Sequence, residues 1–95
     1  SLRLPPATVT SYLRDVLSVQ PDVVATRSRV ALREGTLTAD VWVALRPLAP
    51  AAELQPLLHG LASAALRDRL GLPAEVRTLK TTVLKVHELP RYLRA

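Results

Sequence analysis

The stretch VVATRSRVALREGTLTADVWVAL, residues 23–45, decides the fold. Its second half places Leu37, Val41, Val43 and Leu45 on one side, with Thr38, Asp40, Trp42 and Ala44 on the other. That period of two belongs to a strand with one buried face. In its first half, Val24, Val30 and Leu32 face one way and Arg27, Arg29 and Arg33 the other. Between them Glu34-Gly35 supplies a tight reversal, with a glycine available for positive φ. Two alternating runs joined by a short glycine-bearing loop predict a β-hairpin, closed by Pro47 and Pro50.

Helical spacing lies on both sides of the hairpin. Upstream, Val9, Tyr12, Leu13, Val16 and Leu17 fall at i, i+3, i+4, i+7 and i+8, one face of an amphipathic helix. Pro5 and Pro6 suit its start, and Pro21 ends it by Ser18 or Val19. Downstream, Leu54, Leu57, Leu58, Leu61, Ala65 and Leu66 restore the helical period, with Ala62 and Ala64 between. Gly71 stands at the left-handed C-terminal position, Leu72 is placed to contact back onto the helix, and Pro73 blocks continuation. Pro56 requires either a helix start within a turn of it or a bend. The last element, Val76 to Val86, is β-branched-rich but slips phase: Val76, Leu84 and Val86 are out of step with Leu79 and Val83. A bulge or burial on both faces would produce that slip.

The expected fold is therefore α/β: a two-layer α-β-β-α-β sandwich, with a three-stranded mixed sheet and two helices on one face. A single domain spans residues 4–89, and residues 90–95 form a C-terminal tail. Ninety-five residues suffice for one core and not for two.

Composition excludes more than it assigns. The apolar fraction of 48% and the charged fraction of 22% are those of a globular chain. No cysteine is present, which removes disulfides, thiolate metal sites and cysteine nucleophiles. The net charge of +5 is spread evenly, with six cations and four anions in residues 1–48 and seven and four in residues 49–95. The absence of methionine leads us to expect a processed chain or a fragment, with an anchoring segment outside it.

No catalytic set can be assembled. Ser63 lacks the elbow motif that exposes a nucleophile, and the helix neighbours of His59 at four residues are Gln55 and Ser63, so no metal-ligating pair forms. His87 and Glu88 point to opposite sides if extended. The acids mostly adjoin an arginine, as in Arg14-Asp15, Arg33-Glu34 and Arg67-Asp68-Arg69, which is the pattern of solvated surface pairs. The expectation is no enzyme, no metal, no cofactor and no small-molecule substrate. RNA binding through a KH-like topology is the alternative, favoured by charge. It is opposed by the missing Gly-x-x-Gly clamp and by three aromatics in all: Trp42, Tyr12 and Tyr92.

Trp42 is either a core residue reached by an undetected phase slip or an aromatic anchor on the open sheet face. In the second case it is bordered by Leu79 and Val83 and rimmed by Arg27 and Arg29. Tryptophan and arginine are the residues enriched at interface hot spots.

Val19-Gln20-Pro21-Asp22-Val23 after the first helix resembles the Pro-Gly-Val corner of the alkaline shock protein family of bacterial envelope-stress proteins. The Gly35-Thr36-Leu37 turn exit and the Val41-Trp42-Val43-Ala44-Leu45 strand are similar to that family's hairpin. Pro47 through Glu53-Leu54 resembles its second helix entry, and Leu70-Gly71-Leu72-Pro73-Ala74-Glu75-Val76 through Val86 its closing strand. The resemblance covers residues 4–88 and is nearest to the cytoplasmic domain of the family's membrane-anchor branch, AmaP. It departs at Asp22, where the family has glycine, and in lacking the acidity of the soluble branch. It implies a non-enzymatic interaction module at the inner face of a membrane. Its partner is a protein of the same family or a second copy, and an anionic membrane surface lies nearby.

Overall fold

The computed structural model describes residues 5–71 and 73–93. The order is α1 (Pro6–Ser18), β1 (Val23–Arg33), β2 (Thr36–Leu45), α2 (Ala51–Leu70) and β3 (Ala74–Val83). The strands form one mixed sheet in the order β1-β2-β3, with β1 and β2 antiparallel and β2 and β3 parallel. Helix α1 packs on β1, α2 packs on β3, and the two helices meet over the same sheet face. The α/β sandwich expected from the sequence is the one found.

β2 shows why. Leu37, Ala39, Val41, Val43 and Leu45 are all buried, and every residue between them is partly exposed. Val9, Leu13 and Leu17 of α1 and Leu58, Ala62 and Leu66 of α2 close over that inner face. Glu34 at φ 52 and Gly35 at φ 80 give a two-residue turn with both residues left-handed, whose twist suits a hairpin. Gly71 caps α2 at φ 63, as the sequence requires; Leu72 lies outside the described residues.

Several details differ from the sequence reading. The β1–β2 register shifts between Val23 and Ala25, so Val23 pairs with Leu45 and packs against the core, with Val24 as the extra residue. Helix α2 begins at Ala51 and runs through Pro56, which has no N–H for the Ala52 carbonyl. Both residues are exposed, so water can take that carbonyl. Leu57 is turned outward at 50% exposure, whereas Leu58 and Ala62 are fully buried. The final strand ends at Val83 rather than Val86. The chain beyond it is no simple tail: a 3₁₀ turn (Val86–Glu88) leads into a short α3 (Leu89–Leu93) that touches β1. Among the described residues no helix is long and apolar enough to cross a membrane.

Adjacent leucines report the phase of α2. Leu58 is fully buried and Leu57 half exposed, so Leu58→Ala should cost about 2–5 kcal/mol and Leu57→Ala under about 1. Urea unfolding of the two variants measures both. Gly71→Ala should cost about 1 kcal/mol through its left-handed φ alone, since nothing lies within 4 Å of an added Cβ.

Candidate functional site

Both helices cover one sheet face, and on the other, beyond a row of Ala31, Thr38 and Glu75, lie three cross-strand rows around Trp42. Ala25, Ala44 and Thr82 form one; Arg27, Trp42 and Lys80 the next; Arg29, Asp40 and Thr78 the third. Trp42 is at the centre. The Arg27 guanidinium lies over its ring at 5.0 Å and that of Arg29, its diagonal neighbour, at 5.7 Å. Trp42 stands on the open sheet face and not in the core, because its strand neighbours Val41 and Val43 fill the core.

Two residues expected beside Trp42 lie elsewhere. Leu79 pairs with Val41 and is buried in the core beneath α2, and Val83 pairs with Leu45 on that same inner register. The reason is a register shift between Ala39 and Asp40: Val76 pairs with Ala39 and Thr78 with Asp40, leaving Arg77 as the extra residue. Past it every β3 side chain is inverted relative to an unbroken count from Val76. Lys80, not Leu79, therefore borders Trp42. The phase slip in the sequence is this bulge.

The bulge also builds a polar knot that sequence reasoning missed. Two β3 residues, Arg77 and Thr78, oppose the single Asp40. Arg77 Nε donates to Asp40 Oδ1 at 3.1 Å and its Nη2 to Oδ2 at 2.7 Å, while Thr78 Oγ1 donates to Oδ1 at 2.7 Å. Arg29 faces the same carboxylate from β1. These donors, Arg77 first and Thr78 second, hold the Asp40 carboxyl at about 2 against its ordinary 3.8, with the charges of Arg77 and Arg29 assisting. The Arg77 guanidinium is raised in return, chiefly by its hydrogen bonds to Asp40.

Next to Trp42 an open cleft of about 470 Å³ runs toward the C-terminal helix, lined by Arg27, Ala44, Thr82, Glu88 and Tyr92. Tyr92, in the segment expected to be a tail, thus contributes to the wall of the candidate face. This aromatic lay in plain view in the sequence, but nothing local tied it to Trp42.

The outer edge of β3 is engaged by α2. Gln55 Nε2 donates to the Leu79 carbonyl at 2.8 Å, and His59 Nε2, one helical turn on, is 2.9 Å from the Val76 carbonyl. A carbonyl only accepts, so His59 donates from Nε2. The Ser63 hydroxyl stands 3.5 Å from the His59 Nδ1. The serine and histidine do meet, with Ser63 buried in the helix–sheet layer and His59 bonded to the strand. Among the described residues no group of three or more His, Cys, Asp or Glu side chains is placed to hold a metal ion.

Neither a protein-family model nor a curated protein sequence matches the chain. Solved structures do. The C-terminal domain of MamM with a histidine-to-alanine substitution superposes with a TM-score of 0.62 at 14% identity, over 83% of this chain and 98% of that one. The fold resembles that of the MamM C-terminal domain. A cysteine-to-serine variant gives the same TM-score and identity over 83% and 96%, and an aspartate-to-alanine variant 0.62 at 12% over 83% and 98%. At such identities the likeness is one of fold alone.

The Asp40 knot predicts a pH dependence with a definite sign. The folded carboxyl binds its proton less readily than the unfolded one, so its contribution to stability is complete above pH 3.8 and is lost as pH falls through about 2. An NMR titration of the Asp40 carboxyl should give a midpoint near 2 in the wild type and one displaced toward 3.8 in Arg77→Gln. An unchanged midpoint would remove Arg77 from that role.

Proposed function

We propose that this chain is a non-enzymatic protein-interaction domain that engages its partner through the open sheet face centred on Trp42. The observation that carries the reading is Trp42 itself, a large aromatic under two guanidiniums on a sheet face that α1 and α2 leave uncovered. Arg27, Arg29 and Lys80 surround it, and the one ion pair found among the described residues belongs to Arg77 and Asp40. An aromatic anchor rimmed by arginine is the composition of an interface hot spot.

The alkaline shock resemblance supports a partner of the same family or a second copy. It also supports placement at the inner face of a bacterial membrane, as the cytoplasmic part of an anchored envelope-stress protein. Surplus basic charge suits an anionic leaflet there. The non-enzymatic reading is supported by what His59 and Ser63 do: His59 joins α2 to the edge of β3, and Ser63 is buried beside it within the helix.

The face is small. Ten-residue strands at ~3.3 Å per residue, three abreast at ~4.8 Å, give a planar footprint on the order of 450 Å². That is roughly half of what each partner buries in a standard stable interface, so the association is of the weak, transient class. Sedimentation equilibrium should show concentration-dependent self-association of the wild type, weakened about tenfold or more in Trp42→Ala. If both stay monomeric up to millimolar concentration, the self-association reading is wrong. Steep, salt-dependent binding to oligonucleotides would instead assign the face to nucleic acid.

A further inference from the structure

We propose that the notch between α1 and the outer edge of β1 is a binding site for a phosphate-class oxyanion. Arg14 of α1 and Arg27 of β1 line it together with Thr10, Thr26 and Ser28, around a volume of about 190 Å³. That volume is about six times the ~30 Å³ share of one water, enough for a tetrahedral anion with part of its hydration.

The sequence places these groups by two periods. Thr10 and Arg14 are four apart on α1 and share a face of the helix. Thr26, Arg27 and Ser28 are consecutive on β1, so two hydroxyls and one guanidinium reach the strand's edge from its two sides. β1 pairs only with β2, so backbone amides along its other edge have no ladder partner. Sheet edges with free amides form anion-binding concavities.

The chemistry of the lining is one-sided. No carboxylate contributes to it, and the one ion pair among the described residues leaves Arg14 and Arg27 without an acidic partner. The Thr10 hydroxyl donates to the Ala7 carbonyl at 3.1 Å, so the donors facing the notch are the guanidiniums and the hydroxyls of Thr26 and Ser28. Arg27 stands over the Trp42 ring at 5.0 Å and makes no ion pair among the described residues, so its charge is held at the notch without an acidic partner. A second hollow of about 320 Å³ shares Arg27 and Ser28 and adds the Arg29 guanidinium. Donors converging from a helix, a strand and a strand edge suit an anion with three or four oxygens better than a planar carboxylate. A free phosphate and a phospholipid headgroup present the same chemistry.

The test titrates inorganic phosphate into the ¹⁵N-labelled protein at constant ionic strength. It also measures co-sedimentation with phosphatidylcholine vesicles with and without phosphatidylglycerol. Saturable shifts should appear at the Thr26 and Ser28 amides and the Arg14 Nε–H. Arg14→Gln should weaken binding about tenfold, the scale of one lost charge-assisted group, while Arg67→Gln on α2, equal in charge but outside the notch, should leave it unchanged. Arg14-dependent binding of phosphate but not of vesicles assigns a free phosphate, and Arg14-dependent capture by phosphatidylglycerol vesicles assigns a headgroup. No saturable effect of phosphate through about 50 mM, together with no Arg14-dependent vesicle binding, overturns the proposal. So do equal losses in Arg14→Gln and Arg67→Gln, which would mean that net charge alone attracts the anion. Arg14 takes no part in the Trp42 face, so the site stands or falls apart from the interaction reading.

Discussion

Five side chains of β2 (Leu37, Ala39, Val41, Val43 and Leu45) are sealed beneath two helices, and their alternation sets the position of everything else. In a strand with period two, a slip of one residue would drive Asp40 and Trp42 into the core and turn out the whole apolar set. Burying a carboxylate and exposing those five side chains is far outside the margin by which a domain is stable. The register is therefore rigidly specified. The same constraint that buries Val41 and Val43 presents Trp42 to solvent, so the candidate interface is the reverse side of the core.

The second organising feature is the bulge at Arg77. A parallel strand running without interruption from Val76 would keep strict alternation and place Thr78, not Leu79, in the core layer. The extra residue returns Leu79 to the core and turns Lys80 toward Trp42. It also sets Arg77 and Thr78 together against Asp40, tying the bulge down with a bidentate ion pair and a hydroxyl. On the strand's free edge, Gln55 and His59 bond the carbonyls of Leu79 and Val76, residues on either side of the bulge. Two carbonyls of this edge are thus already bonded, whereas the outer edge of β1 has no strand beside it.

The fold alone does not carry the function. Domains of MamM share the architecture at 12–14% identity, and a shared architecture hosts many activities. The features on which a function can be argued are local: an aromatic residue under two arginines, a neutralised aspartate one row away, and a basic notch at the edge of β1. The Trp42 face and the notch share Arg27, whose guanidinium lies over the Trp42 ring.

Much of this was legible in the residues. The periods of α1 and β2, the Glu34-Gly35 turn and the Gly71 cap are local signals, because backbone geometry and burial of one face are decided within a few residues. They sufficed for the element order, for the mixed sheet and for Trp42 with Arg27 and Arg29 on its outer face. The phase slip in the last strand was visible too, but not which residue was extra. That depends on which pairing with β2 buries the most apolar surface while leaving no charge buried without a partner. Only the assembled sheet could place Leu79 inside and Lys80 outside, join Asp40 to Arg77 across 37 positions, and bring Tyr92 alongside Trp42. Periodicity along one strand carries no information about the neighbouring strand's offset, and that offset is set by packing between elements far apart in the chain.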